Sequence, residues 1–497
     1  MQTAIINDII DMTKEKNRRI TLYRRRRYRH RNPKLKRLAM IGIAAAVVIG
    51  AFLSLLGFVK HSNEEHTSSD IDITQEQEET SSDAETLPVT DTAEPEKITL
   101  VSGEVTTEDK VKLPDEIKQL LIDYTADKYE YTGELEYKSL SGYFNTDKTY
   151  GKLYAGFCDT SLQYLIYARQ CRSADLGYDE ASFVINVEKA SVKSGVYTVN
   201  YTVSEKIMFA ISDTPAKSCG MEIEAQISKG TDGKYKFDIL AEDTDVNLLI
   251  EKRVMDYLGY DYEEYHLKDM KIPDTLDCDK MYAGILKSLK ADAGTDITGQ
   301  EKMLADYNAD PDSFKTSKTA KHEYDRDKAV AYSYKWVDGE KVIRNPNYSD
   351  YAIYGGNCQN YVSQSLYAAG IPMEWSGNEQ WKWFDDEGDL SESPTGRSGS
   401  WSGTEYFYEY CNKNTGKGLV AETDGNIFSA QPGDVIQYVV DGWAHHSVIV
   451  SKVICDDNGN VIDLLINSNT TDRVDYPMSA YGYTNIRLIK IIGYNDK

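Results

Sequence analysis

Cysteine is scarce: seven among 497 residues, with no Cys-x-x-Cys. This excludes a disulfide-scaffold protein and offers no zinc or redox motif. His-Glu-x-x-His, Gly-x4-Gly-Lys and Gly-x-Ser-x-Gly are also missing, so no metalloprotease, phosphate-loop or serine-elbow chemistry is expected. Asp385–Asp389 lacks EF-hand spacing and reads as a solvated acidic loop. No metal and no cofactor is therefore expected. Positive charge is short overall, with 56 Lys+Arg against 80 Asp+Glu and a net charge of −24. It is concentrated at the start, where residues 1–37 hold 13 basic and 3 acidic residues. The body is strongly acidic and would repel phosphates, so no nucleic-acid partner is expected. Apolar residues make up 41 %, enough for a packed core.

Leu38–Val59 is 22 residues without a charge, long enough for a bilayer core of about 30 Å. The basic cluster before it predicts a single-pass helix at the cell membrane, with residues 1–37 as a cytoplasmic tail and the remainder outside. Residues 62–97 carry 12 acidic groups and no aromatic residue, so 60–98 reads as a disordered acidic stalk. Helical spacing at Leu113–Asp127 and Lys152–Arg172 is followed by alternating segments at Ser182–Glu188, Val196–Ile207, Met221–Gln226 and Lys234–Leu240. This predicts a separate small α+β domain at 99–255, whose element order resembles a nuclear-transport-factor-like cone. Residues 256–320 read as a partly helical connector and 321–497 as a second α+β domain.

In that last region Gly355-Gly356 permits a tight turn, and Asn357 suits an N-cap. Cys358, Tyr361, Val362, Ser365, Leu366 and Ala369 then share a helical face, ended by Gly370 and Pro372. A thiol at a helix N-terminus meets N–H groups and a dipole that stabilise a thiolate and a developing oxyanion. Alone, such a Cys is more often structural, so the case needs a base. Of seven histidines only His322, His445 and His446 fall in this region. The pair precedes an apolar strand, and Asp456–Asn460 marks a hairpin turn. An even-membered loop sets Asn469 on the face of His446, where it can hold the imidazole; an odd one spoils that parity. Trp375, Trp381, Trp383 and Trp401 read either as walls of a substrate groove or as core.

Asp325-Arg326-Asp327-Lys328, Trp336, Asn345-Pro346-Asn347-Tyr348, Gly355–Gln364, Ser400-Trp401, Pro432-Gly433-Asp434-Val435-Ile436 and His446-Ser447-Val448-Ile449-Val450 occur in one order. Together they resemble the putative amidase domain family of bacteria, of the papain-like class near the NlpC and CHAP cell-wall peptidases, over about 324–497. The resemblance implies a papain-like α+β core, Cys358 as nucleophile and His446 as base. Two positions depart from the family pattern. Asn357 stands where Asp is common, and Asn469 where a His is usual, although Asn is the papain-type orienting residue. Resemblance and topology together lead to the expectation of an extracytoplasmic Cys358–His446–Asn469 hydrolase of amide bonds, with peptidoglycan stem peptides as leading substrate. The rival expectation is a catalytically silent ectodomain that binds or scaffolds cell wall. Asn357, Trp381, Trp401 and His445 are the expected groove residues.

Overall fold

The computed structural model describes residues 99–108, 111–260 and 266–496. The basic tail, the Leu38–Val59 segment and the stalk lie outside the described residues. Among the described residues no helix is long and apolar enough to cross a membrane. Residues Lys97–Lys497 form one compact unit, a mixed α/β structure with a large sheet.

The first half begins with β1 (Leu100–Thr107), α1 (Asp115–Glu134) and α2 (Thr149–Gln170). Four strands follow: β2 (Tyr178–Lys193), β3 (Val196–Phe209), β4 (Ala216–Lys229) and β5 (Tyr235–Glu242). The sequence-based helices and strands are all present, the strands running longer than their apolar alternation suggests. Pro114 precedes the first turn of α1, where Asp115 and Glu116 complement the positive end of the helix dipole. One core cluster joins Ile117, Leu121, Leu153 and Leu162 of the helices to Ile185, Val199, Tyr201 and Ala225 of the sheet. α3 (Asp245–Leu258) falls at the end of the range expected for the first domain, and the expected partly helical connector contains the 32-residue α4 (Cys278–Ala309). Thr244 and Asp277 cap these two helices through their side chains.

The second half contains α5 (Arg326–Lys335), α6 (Cys358–Ala368), α7 (Gly399–Ser402) and α8 (Thr404–Lys413). Its strands are β6 (Gly418–Thr423), β7 (Val435–Val440), β8 (Trp443–Cys455), β9 (Val461–Ser468), β10 (Asp472–Pro477) and β11 (Ile486–Asn495). The halves are not separate. One sheet runs β1-β2-β3-β4-β10-β9-β8-β7-β11-β6, with β5 also paired to β4. The seam is antiparallel, Asp472 opposite Cys219 and Val474 opposite Lys217. Left-handed residues Thr470 and Thr471 (φ 73° and 50°) turn the chain sharply from β9 into β10.

The sheet of the second half has two distinct faces. Val435 and Ile449 pack with Tyr361, Val362 and Leu366 of α6 and with Trp381 and Trp401. Ile436, Tyr438, Val448, Val450, Leu464 and Ile466 pack on the opposite side with Tyr476, Met478 and Tyr481. This two-sidedness decides where the functional candidates can meet.

Candidate active site

Gly355 and Gly356 both adopt positive φ (100° and 153°), and the helix begins at Cys358. A Cβ on Gly356 would touch nothing within 4 Å, so the backbone conformation, not space, requires glycine there. Cys358 is buried, as is every α6 residue through Leu366. None of the described cysteines forms a disulfide. Burial pushes the thiols of Cys158, Cys219 and Cys411 up, Cys219 to about 12.

Asn357 does not cap the helix with its side chain. Its Oδ1 accepts from the Tyr351 N–H (3.1 Å) and from Asn360 Nδ2 (2.8 Å). Its Nδ2 donates to Asn469 Oδ1 at 2.8 Å, and its own N–H donates to Thr470 Oγ1 at 2.6 Å. The β9–β10 turn is thus clasped to the residue preceding Cys358, and no Asn357 cap occupies the first N–H groups of α6. Asn357 and Asn469 are both almost fully buried, and both line a small pocket with Trp336, Arg344 and Tyr348.

The histidine pair sits differently from the sequence-based expectation. Mid-strand, Lys452 lies opposite Leu465 and Val453 opposite Leu464, which is the register of an even loop. Beyond Ser451 the register slips by one, giving Val450 opposite Ile466 and Ile449 opposite Asn467. Ser451 is the extra residue of this bulge, and its hydroxyl donates to Asp475 Oδ1 (2.8 Å). A one-residue slip exchanges faces. Continued along the strands, the new register sets Asn469 opposite Ser447, on the side of α6 where Asn467 reaches Ser333 Oγ (2.9 Å). His446 lies on the other side, its ring 6.2 Å from Tyr438 and 5.9 Å from Tyr481. Asn469 and His446 therefore do not share a face. Burial, assisted by the charge of Arg473 and opposed by that of Asp245, lowers the His446 pKa to about 4.

His445 directly precedes His446, and strand alternation assigns it no face. A second bulge falls there: Tyr438 pairs with His446 and Val439 with Ala444, so the ladder passes over His445. The side chain is exposed, and its ring approaches that of Tyr483 at 6.4 Å. Thr404 Oγ1 donates to the Ala444 carbonyl, and Glu405 Oε2 accepts from the Ala444 N–H (2.8 Å), which anchors this end of β8 to α8.

Trp381 and Trp401 are not groove residues, because neither exposes any surface. Their rings pack 4.8 Å apart; Trp401 Nε1 donates to Asn360 Oδ1 (2.9 Å) and Trp381 Nε1 to Ser363 Oγ (3.0 Å). They brace α6 from behind. Trp401→Ala is expected to cost about 3–5 kcal/mol of stability by cavity formation, and it also leaves the buried Asn360 Oδ1 without its donor. The denaturation midpoint checks this. His322 lies beside β11, its ring against Tyr494 (5.0 Å) and Asp496 (3.1 Å). Sequence reading missed Arg473, Tyr438 and Tyr481, which enclose His446, and Asp245, which pairs with Arg473 from the first half. The Tyr481-Gly482-Tyr483 run was the one local hint.

Among known proteins, the family described as "Putative amidase domain" matches residues 323–492. That match points to amide hydrolysis as the chemistry of this region. The chain is similar to the uncharacterized protein YhbB of Bacillus subtilis (strain 168), 26% identical over 239 residues. The similarity covers 48% of this chain and 64% of that protein, so the chain spans less than two thirds of its relative's length. No solved structure matches.

Proposed function

We propose that the chain is a thiol hydrolase of amide bonds with a papain-like site, in which Cys358 is the nucleophile and His445 the base. One observation carries this reading: within the amidase-matched region, a two-glycine turn delivers Cys358 as the first residue of a buried helix whose N-terminus bears no side-chain cap from Asn357. The register slip at Ser451 argues against His446, because Asn469, Ser447 and α6 belong to one side of the sheet and His446 to the other; His445, exposed and set off the ladder by its own bulge, is the histidine that remains.

In the proposed reaction His445 takes the Cys358 proton and the thiolate attacks the amide carbonyl carbon. N–H groups at the start of α6 donate hydrogen bonds to the oxyanion. The imidazolium then protonates the departing amine as the C–N bond breaks, leaving a thioester on Cys358. Water, deprotonated by His445, attacks the thioester, and the carboxylate leaves as the thiol is restored. Asn469, held by Asn357, fixes the floor of the site. The basic tail and Leu38–Val59 support a membrane-anchored protein whose site faces outward, which makes peptidoglycan stem peptides the leading substrate.

Competitive labelling tests the nucleophile. Cys358 is expected to be the fastest of the seven thiols to react with iodoacetamide near neutral pH, ahead of the exposed Cys455. Faster labelling of Cys455 or Cys411 in the native protein would remove Cys358 from the role and leave a catalytically silent ectodomain.

A further inference from the structure

The segment that packs against His446 is held from outside the amidase-matched region. Arg473 of β10 lies face-on to Tyr481 (4.1 Å) and Tyr476 (5.0 Å). Its Nη1 donates to Asp245 Oδ2 at 3.0 Å, Asp245 being the first residue of α3 in the first half of the chain. The guanidinium is largely shielded, with 13% of the side chain exposed, and its Nε has no hydrogen-bond partner. Tyr481 stacks on Tyr438 at 4.4 Å, and both rings flank His446. A continuous line of contacts therefore runs from Asp245 through Arg473 and Tyr481 to His446, the residue next to His445.

Other contacts from the same half grip the same segment. Arg169 Nη2 donates to the Tyr476 hydroxyl (3.3 Å) and to the Ala480 carbonyl (3.2 Å). The Tyr164 hydroxyl donates to the Gly482 carbonyl (3.1 Å). Gly482 is pressed so closely on Val246 that a Cβ would sit 2.2 Å from Val246 Cγ2. Lys252 of α3 pairs with Asp441 at the turn between β7 and β8.

We propose that the first half of the chain, residues 99–258, is a positioning module for the histidine strand, and that the Asp245–Arg473 pair is its coupling point. The inference rests on the reading of Cys358 and the histidine strand as the reactive site. A shielded guanidinium is strongly destabilised without its counter-charge. Neutralising Asp245 releases Arg473 from the faces of Tyr476 and Tyr481, the Tyr438–Tyr481–His446 stack shifts, and the bulge that presents His445 shifts with it. Displacement of a base by about 1 Å is enough to cost a large factor in rate.

The test uses the full chain with Asp245→Asn, Asp245→Glu and Arg473→Lys. Two readouts are taken: the pH profile of Cys358 alkylation, and the titration of the His445 and His446 rings by NMR. The groups facing His446 are Tyr438 on β7, Tyr481, Arg473 on β10 and Asp245 on α3. Asp245→Asn is expected to slow Cys358 alkylation at pH 7 by at least about tenfold and to move the His446 midpoint downward, since the Asp245 carboxylate favours the imidazolium. Asp245→Glu should restore both, whereas a purely structural role would move neither midpoint nor inflection. An Asp245→Asn protein that melts like the parent with both profiles unchanged overturns the proposal. If Cys358 in the unmodified chain alkylates as an ordinary thiol, the hydrolase reading fails, and the His446 midpoint alone then decides the coupling.

Discussion

Cys358→Ala is expected to lower the proposed amide hydrolysis, assayed as amine release from peptidoglycan fragments, by about 10⁴-fold or more, with the melting temperature little changed. The size follows from the proposed chemistry. Without sulfur there is no acyl-enzyme, so the two-step path closes, and only binding and the helix N–H groups remain to act on the carbonyl. Cys358→Ser is the stricter comparison. It keeps a nucleophilic atom at the first position of α6 but one that needs far more help to ionise, and it should also be nearly inactive. Folding should survive either change, because the core stripe of α6 is supplied by Tyr361, Val362 and Leu366. Turnover retained in Cys358→Ala would move the chemistry to another residue altogether.

The second large effect separates the two histidines. His445→Ala should reduce turnover by about 10²–10⁴-fold and shift the alkylation inflection of Cys358 up towards that of a free thiol. His446→Ala should leave the inflection in place. The His446 ring is buried between Tyr438 and Tyr481, and its pKa lies near 4, so it remains neutral until the pH falls towards that value. At neutral pH it supplies no imidazolium to a thiolate. What His446→Ala removes is packing against two tyrosines, a loss that a denaturation curve reads directly. The opposite outcome, an inflection moved by His446→Ala and not by His445→Ala, returns the base to His446 and implies that its ring crosses to the side of α6.

Some of this fold is legible in its residues and some is not. The helix start at Cys358 is readable because two glycines and an apolar stripe of helical period coincide there. The turn at Asp456–Asn460 is readable because its residue types have few alternatives, and Asp456 indeed accepts from the Asn458 and Asn460 N–H groups (2.9 and 2.8 Å). The face on which His446 lies is not readable, because it depends on one extra residue at Ser451 within an apolar strand. A serine there carries no rule for a bulge; its cause is Asp475, reached only once β10 is in place. Trp381 and Trp401 are ambiguous for a related reason, since sequence gives a ring's size but not which side it faces. Asn357 has the right chemistry for a cap, but three neighbours compete for its side chain, and Tyr351, Asn360 and Asn469 win.

The seam between β4 and β10 has a bearing on how the molecule folds. Val474 pairs with Lys217, so the last strands must find a partner made more than 250 residues earlier. Closing so long a loop is slow, because chain entropy is lost before the contact rewards it. Until then β10 presents an open edge of N–H and C=O groups, the usual template for pairing with another chain. A fragment cut to the limits of the amidase match would keep that edge bare permanently and would also lose Asp245, the counter-ion of Arg473. The seam therefore makes the first half an intramolecular cover for an edge that would otherwise be open to another chain.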